Sequence, residues 1–338
     1  MSASGGAQSD REAALRLAVD GLADGREVAL VTVLSTYGSA PRRPGAIWVI
    51  VDPAAARPAM QGSISGGCIE EDLLGWLAQR PHPRRRRSPV IRSYDGRDHP
   101  GLPCGGTLSV LVEWPRWVAD IEPALAAIAD RQAVWREVDL ATGAVDWRPT
   151  PPPVPDAPHC GVRTLAVPFG PAWRLVIVGA GPVADQLAPQ ATTLGFEVIV
   201  CDPRAGAGRA PAGAVLSCEA PERLFARIGL DERTAVVAVA HDPRLDDLAL
   251  IDALESPAFH VAAMGGAGTS RARRDRLASL GVEVARLRAP AGLDIGSHTP
   301  AEIAVSISAE LVAARSLARP RAQGVTSPWR GRASLDAH

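Results

Sequence analysis

Arg174-Leu-Val-Ile-Val-Gly-Ala-Gly-Pro-Val-Ala184, followed by Glu197-Val-Ile-Val-Cys-Asp202, decides the fold of this 338-residue chain. A short run of branched apolar residues predicts a buried strand, and the change at Gly179 predicts a tight turn into a helix. Gly179-x-Gly181-x-x-Ala184 between a strand and a helix, with Asp202 ending the next strand, is the dinucleotide fingerprint with its permitted final alanine. In that reading a pyrophosphate lies on the peptide N–H groups at the helix start, and Asp202 accepts bonds from a ribose-like diol. Pro182 fits the first helical turn, where its missing N–H has no intrahelical partner. Ala235 to Ala240 and His260 to Met264 continue the strand-and-helix alternation, which builds a doubly wound parallel sheet. A Rossmann-shaped domain that binds no nicotinamide satisfies the same pattern.

The segments after these strands fall on the carboxyl edge, where ligands of such sheets bind. His241 is a site residue in one reading and part of a plain strand-to-helix turn capped by Asp242 in the other. Gly265-Gly-Ala-Gly268 occupies the corresponding turn after the next strand, as a ligand loop or a permissive one. Thr299, Pro300 and Glu302 match the N-cap, N1 and N3 positions of a helix from Ala301 to about Ala314. Asp294, between Gly292 and Gly296, is not explained by capping and suits a heterocycle edge or a backbone nest.

Upstream, Arg148-Pro-Thr-Pro-Pro-Pro-Val-Pro-Asp-Ala-Pro158 favours extended polyproline conformation and predicts a linker over 148–171. The chain then divides into an N-terminal α/β domain at 1–147, the linker, a Rossmann-like domain at 172–319 and a disordered tail at 320–338. Residues 11–24 and 70–79 predict helices, and 28–34, 46–51 and 108–112 predict strands. Two glycine-wrapped cysteines mark this half: Gly62-Ser-Ile-Ser65-Gly66-Gly67-Cys68-Ile-Glu70 and Pro103-Cys104-Gly105-Gly106. Glycine accepts positive φ and lets consecutive N–H groups turn inward as an anion nest. Cys68 precedes a predicted helix, which lowers a thiol's pKa and favours a thiolate able to meet a soft metal. The plain alternative is two tight turns beside packed thiols.

Composition narrows the classes. A net charge of −1 and a 46% hydrophobic content point to small-molecule or protein contacts rather than nucleic acid. No leader pattern or spanning apolar run is read, so the expectation is a soluble cytoplasmic protein with no membrane partner. Five cysteines without a Cys-x-x-Cys pair argue against a disulfide framework or structural zinc. Arg84 to Arg87 reads as a solvated run and receives no role.

Gly38-Ser-Ala-Pro41-Arg-Arg-Pro-Gly45, the two cysteine motifs, the Gly179-x-Gly181 domain and Gly292-Leu-Asp-Ile-Gly-Ser-His-Thr-Pro-Ala-Glu302, in this order, resemble the XdhC/CoxI family over about residues 12–316. The resemblance implies a homodimeric maturation factor of xanthine dehydrogenase-type molybdenum hydroxylases. Such a factor binds molybdenum cofactor, as molybdopterin or its dinucleotide form, and protects it while a cysteine desulfurase supplies the sulfido ligand. It then passes the cofactor to the apo-enzyme, so it is a cofactor chaperone more than a catalyst. The expected cofactor contacts are Ser65, Gly66, Gly67, Cys68, Glu70, Cys104, Gly105, Gly106, Gly179, Gly181, Asp202, His241 and Asp294, with Cys68 and Cys104 facing molybdenum and converging with Glu70. Pro182 replaces the histidine frequent in the family, and Gly265 to Gly268 bring no charge before Arg271. The Rossmann half is therefore a weak ligand site or a scaffold and dimer surface. The competing readings are an NAD(P)-dependent oxidoreductase with His241 as acid/base, and a structural adaptor with an empty Rossmann domain.

Overall fold

The computed structural model describes residues 7–37, 42–67, 69–79, 88–95, 106–150, 155, 157–206 and 208–318. The chain forms two compact units, Ala7–Pro171 and Ala172–Arg319.

The first unit begins with α1 (Ala7–Ala23), β1 (Val28–Tyr37), β2 (Ile47–Val51), β3 (Ala59–Gly62), α2 (Glu70–Ala78), β4 (Val90–Asp95) and β5 (Thr107–Glu113). Its five strands pair antiparallel in the order β3-β2-β1-β5-β4. Side chains alternate across the sheet: Val28 and Leu30 pack toward α1, while Ala29 and Val31 pack toward Leu73 and Leu77 of α2. Both faces are covered, which is why β1 reads as a continuous apolar run.

After α3 (Glu122–Ala129) come β6 (Val134–Asp139), β7 (Val145–Pro149), β8 (His159–Cys160) and β9 (Thr164–Phe169), a second antiparallel sheet in the order β7-β6-β9-β8. This corrects the expected linker at 148–171. Leu165, Val167 and Phe169 alternate inward into the core shared with α1, and Arg11 Nη2 donates to the Pro168 carbonyl at 2.8 Å. Among the described residues β8 pairs with Leu165 and Ala166 and not with Pro168, so the missing N–H of Pro168 breaks no ladder bond on that side. The proline-rich run is thus a connection inside the first unit, between β7 and β8.

The second unit holds β10 (Trp173–Val178), α4 (Pro182–Thr193), β11 (Phe196–Cys201), β12 (Ala214–Ser217), α5 (Pro221–Ile228), β13 (Thr234–Ala238), α6 (Pro243–Glu255), β14 (His260–Ala263), α7 (Ala267–Ser279), β15 (Leu287–Arg288) and α8 (Pro300–Ala318). The six strands are parallel in the order β12-β11-β10-β13-β14-β15. Leu175 and Ile177 pack on α4 and α8, whereas Val176 and Val178 pack on the α5 and α6 side. The chain leaves β10 in one direction and returns to its other flank at β13, so the topological switch point lies between these strands. The expected Rossmann-like doubly wound sheet is the one observed. Among the described residues no helix is long and apolar enough to cross a membrane.

Candidate functional site

In the first unit, the turn between β3 and α2 closes around a carboxylate. Glu70 accepts from the Ser63 and Ser65 hydroxyls and from the N–H groups of Ile64, Ser65, Gly66, Gly67 and Ile69, with distances from 2.7 to 3.3 Å where Ser65 Oγ, the closest, is set aside. Gly66 and Gly67 hold φ of 80° and 114°, the left-handed region that glycine reaches without Cβ strain. Burial pushes the Glu70 pKa upward, but the bonds from Ser65 and Ser63 outweigh it and hold the value at about 2. The anion nest foreseen here exists, and an internal anion fills it. Glu70, expected as a cofactor contact, instead turns both oxygens into its own loop, because five converging peptide N–H groups within reach of a helix start leave a carboxylate no better partner. Ser65 is buried with its hydroxyl on Glu70, whereas Gly66 and Gly67 are exposed. Cys68, Cys104 and Gly105, with Arg84 to Arg87, lie outside the described residues, and Gly106 is buried immediately before β5.

In the second unit the expected residues gather on the carboxyl edge of the parallel sheet. Gly179 has φ of 107°, and a Cβ there would strike the Ala240 backbone, so this glycine lets the β10 and β13 turns touch. Gly181 is the cap residue of α4 in extended conformation. Asp202 is only 2% exposed and accepts from Ala180 N, Arg204 N and Arg204 Nε, all at 2.9 Å, while Arg204 Nη2 donates to Oδ2 at 2.9 Å. Burial raises its pKa, and the Arg204 and Ala180 bonds overcome that and lower it. Arg204 continues to Asp242 Oδ2 at 3.2 Å. Asp202, expected to accept bonds from a ribose-like diol, accepts here from the Arg204 guanidinium and the Ala180 peptide N–H. Arg204 was missed, although its place two residues after the fingerprint aspartate was the available signal.

His241 follows β13, exposed and at φ of 56°, an uncommon conformation for a residue with a side chain. Asp242 is the N-cap of α6, accepting from Arg244 N at 3.0 Å. Beneath this edge, buried Arg273 of α7 donates to Asp246 Oδ2 at 3.0 Å, Asp247 Oδ1 at 3.2 Å and the Met264 carbonyl at 2.9 Å. Burial raises the Asp246 pKa despite that arginine. The last loop joins the edge where Ala291 N donates to Ala263 O at 2.9 Å. Gly292 N is held by Glu310 Oε2 at 2.8 Å, and Asp294 projects from this loop, exposed, between exposed Leu293 and Ile295. Thr299 and Glu302 form the predicted capping box, with Glu302 N to Thr299 Oγ1 at 3.3 Å and Thr299 N to Glu302 Oε2 at 2.8 Å.

Two family models match, one described as the XdhC Rossmann domain over residues 175–311 and one as the XdhC and CoxI family over 21–93. The chain belongs to the XdhC/CoxI family. It is 26% identical over 311 residues to the Escherichia coli (strain K12) protein named molybdenum cofactor insertion chaperone PaoD, across 90% of this chain and 89% of that one. It is also 26% identical over 331 residues to a Bacillus subtilis (strain 168) protein named as a probable subunit of xanthine dehydrogenase, across 87% and 95% of the two chains. A Bacillus halodurans crystal structure described as a xanthine dehydrogenase shares the fold, with a TM-score of 0.68 at 22% identity over 92% of this chain and 98% of that one. The XdhC/CoxI regions thus coincide with the two features built above: the Glu70-centred turn lies in the first, and the carboxyl edge in the second.

Proposed function

We propose that this XdhC/CoxI chain is a chaperone that binds molybdenum cofactor, protects it during sulfuration and inserts it into a xanthine dehydrogenase-type hydroxylase. The observation that carries the reading is the end-to-end likeness to a relative named for molybdenum cofactor insertion, over 90% of this chain. The geometry agrees with a holding role. Seven hydrogen bonds onto Glu70 fix the loop that leads into Cys68, so that loop keeps one shape before and after a ligand arrives. Cys68 and Cys104 are the thiols proposed to meet molybdenum or carry sulfur, beside Gly66, Gly67, Gly105 and Gly106. His241 and Asp294 serve the Rossmann edge. A cysteine desulfurase, an apo-hydroxylase and a second copy of the chain are its proposed partners, in the cytoplasm.

The competing oxidoreductase reading would need Asp202 to exchange its Arg204 partner for a ribose diol. The deciding experiment loads purified protein anaerobically with molybdenum cofactor and measures activation of a cofactor-free xanthine dehydrogenase. Wild type is expected to activate it and Cys68→Ala to do so poorly. Activation by free cofactor that is no slower than activation through the protein would refute the chaperone role.

A further inference from the structure

The end of the first unit's sheet that lies away from the cysteine motifs holds a cavity of its own. β5 starts at Thr107, next to Gly106, and ends at Glu113. A strand of that length, at about 3.4 Å per residue, puts its two ends about 20 Å apart. At the far end a cavity of about 160 Å³ opens between the close of α1, the start of β1 and the segment after β5. Leu22, Val28, Trp114 and Pro115 give it apolar lining, and Arg26 and Arg116 give it cationic lining. Every one of these residues belongs to the first unit.

Both arginines are held in place, and both have donors to spare. Asp120 Oδ2 accepts from the N–H groups of Arg116 and Trp117 at 3.0 and 3.2 Å, and the Asp120 carbonyl accepts from Arg136 Nε at 2.9 Å. The buried Glu113–Arg136 pair thus braces the segment from behind. The Arg116 guanidinium lies over the Trp117 ring, 5.5 Å from its centroid, and donates no hydrogen bond among the described residues. Arg26 is turned by Asp52, which accepts from its Nε at 2.8 Å and from the Glu27 N–H at 3.1 Å. Nη1 and Nη2 of Arg26 then have no partner among the described residues. The acids nearby are satisfied: Asp52 has those two donors, and Glu27, which also lines the cavity, is itself engaged. The unfilled capacity is therefore guanidinium N–H, which calls for oxygen acceptors carrying negative charge.

The volume narrows the ligand further. A cavity of about 150 Å³ holds one benzene-sized body. A carboxylate is planar and takes paired N–H bonds from a guanidinium, while an apolar body suits the indole and proline lining. We infer that this cavity is a binding site for a small organic carboxylate whose body is no larger than one ring. Arg26 and Arg116 bind the carboxylate, and Leu22, Trp114 and Pro115 meet the apolar part. None of these residues is among those proposed to meet molybdenum cofactor, so the site stands or falls apart from the chaperone reading. Binding there makes and breaks no covalent bond.

The test uses the full chain, with binding read by ligand-observed NMR titration and folding read by thermal unfolding. The probes are benzoate, benzyl alcohol as the uncharged ring, and inorganic phosphate as the anion without a ring. Wild type is expected to bind benzoate saturably at one site per chain, and about tenfold more tightly than either other probe, the scale of one hydrogen bond to a charged group. Arg26→Gln and Arg116→Gln are expected to unfold at the wild-type temperature and each to lose about tenfold in benzoate affinity. Leu22→Trp, which fills the cavity from α1, should abolish binding. Arg227→Gln removes an exposed arginine of the second unit and should bind benzoate as wild type does. No saturable benzoate binding, or equal binding by wild type and both arginine variants, would overturn the site. Benzyl alcohol or phosphate binding as tightly as benzoate would overturn the assigned ligand class. An equal loss in Arg227→Gln would reduce the effect to net charge and overturn the site as well.

Discussion

Glu70 shows how one side chain can be visible in sequence while its direction is hidden. Its carboxylate is the hub of the turn before α2, so Glu70→Gln places an amide NH₂ against peptide donors and is expected to cost about 1–3 kcal/mol. Urea unfolding of both proteins at neutral pH measures this loss. The pH dependence follows from a native pKa of about 2 against 4.5 for the free side chain. Because the native value is lowered, the ionised group's stabilisation is complete above about pH 4.5 and is lost as pH falls through about 2. The stability gap between wild type and Glu70→Gln should therefore be constant near neutrality and shrink steadily below pH 4.5. Spacing identified Glu70 and the glycines as one motif, but whether a carboxylate points outward to a ligand or back to its own backbone depends on side-chain torsions that no spacing records. The same limit hid Arg204, whose partner Asp202 was legible as the fingerprint acid while its occupancy was not.

At the level of elements, regular strands that alternate with helices were the most legible feature. β10, β11, β13 and β14 each appear as compact apolar runs followed by Gly, Asp or His, because strands buried on both faces tolerate little else. β6 and β7 were illegible: Val134–Asp139 and Val145–Pro149 are short and carry Arg136, Glu137, Asp146 and Arg148 among their apolar residues. Arg136 is buried and paired with Glu113 at 2.9 Å, a contact between distant segments that local pattern cannot announce. The α6–α7 seam has the same character. Arg273 and Asp246 have side chains 3% and 1% exposed, so Arg273→Met leaves a buried carboxylate uncompensated. Such a loss costs about 3–5 kcal/mol, to be read in chemical denaturation. The double variant with Asp246→Asn should recover part of it, since the orphaned charge is then gone as well.

Over the whole molecule, the division into two units was legible but its boundary was not. Proline density suggested a break at 148, whereas β9 returns to the first unit and ends at Phe169. A fragment covering 7–171 is expected to unfold cooperatively by circular dichroism. A fragment ending at 149 loses Leu165, Val167 and Phe169, each at most 1% exposed. At about 1.5–3 kcal/mol for each buried side chain, that loss approaches the whole stability of an ordinary domain, and the shorter fragment should not fold. Under the proposed function the whole molecule carries a molybdenum cofactor rather than a nicotinamide. Anaerobic equilibrium binding of molybdenum cofactor to the full chain, repeated with excess NAD(P)H as competitor, tests it most directly. Tight cofactor binding that NAD(P)H leaves unchanged is the expected result; nicotinamide binding at micromolar concentration with no affinity for the cofactor would contradict it.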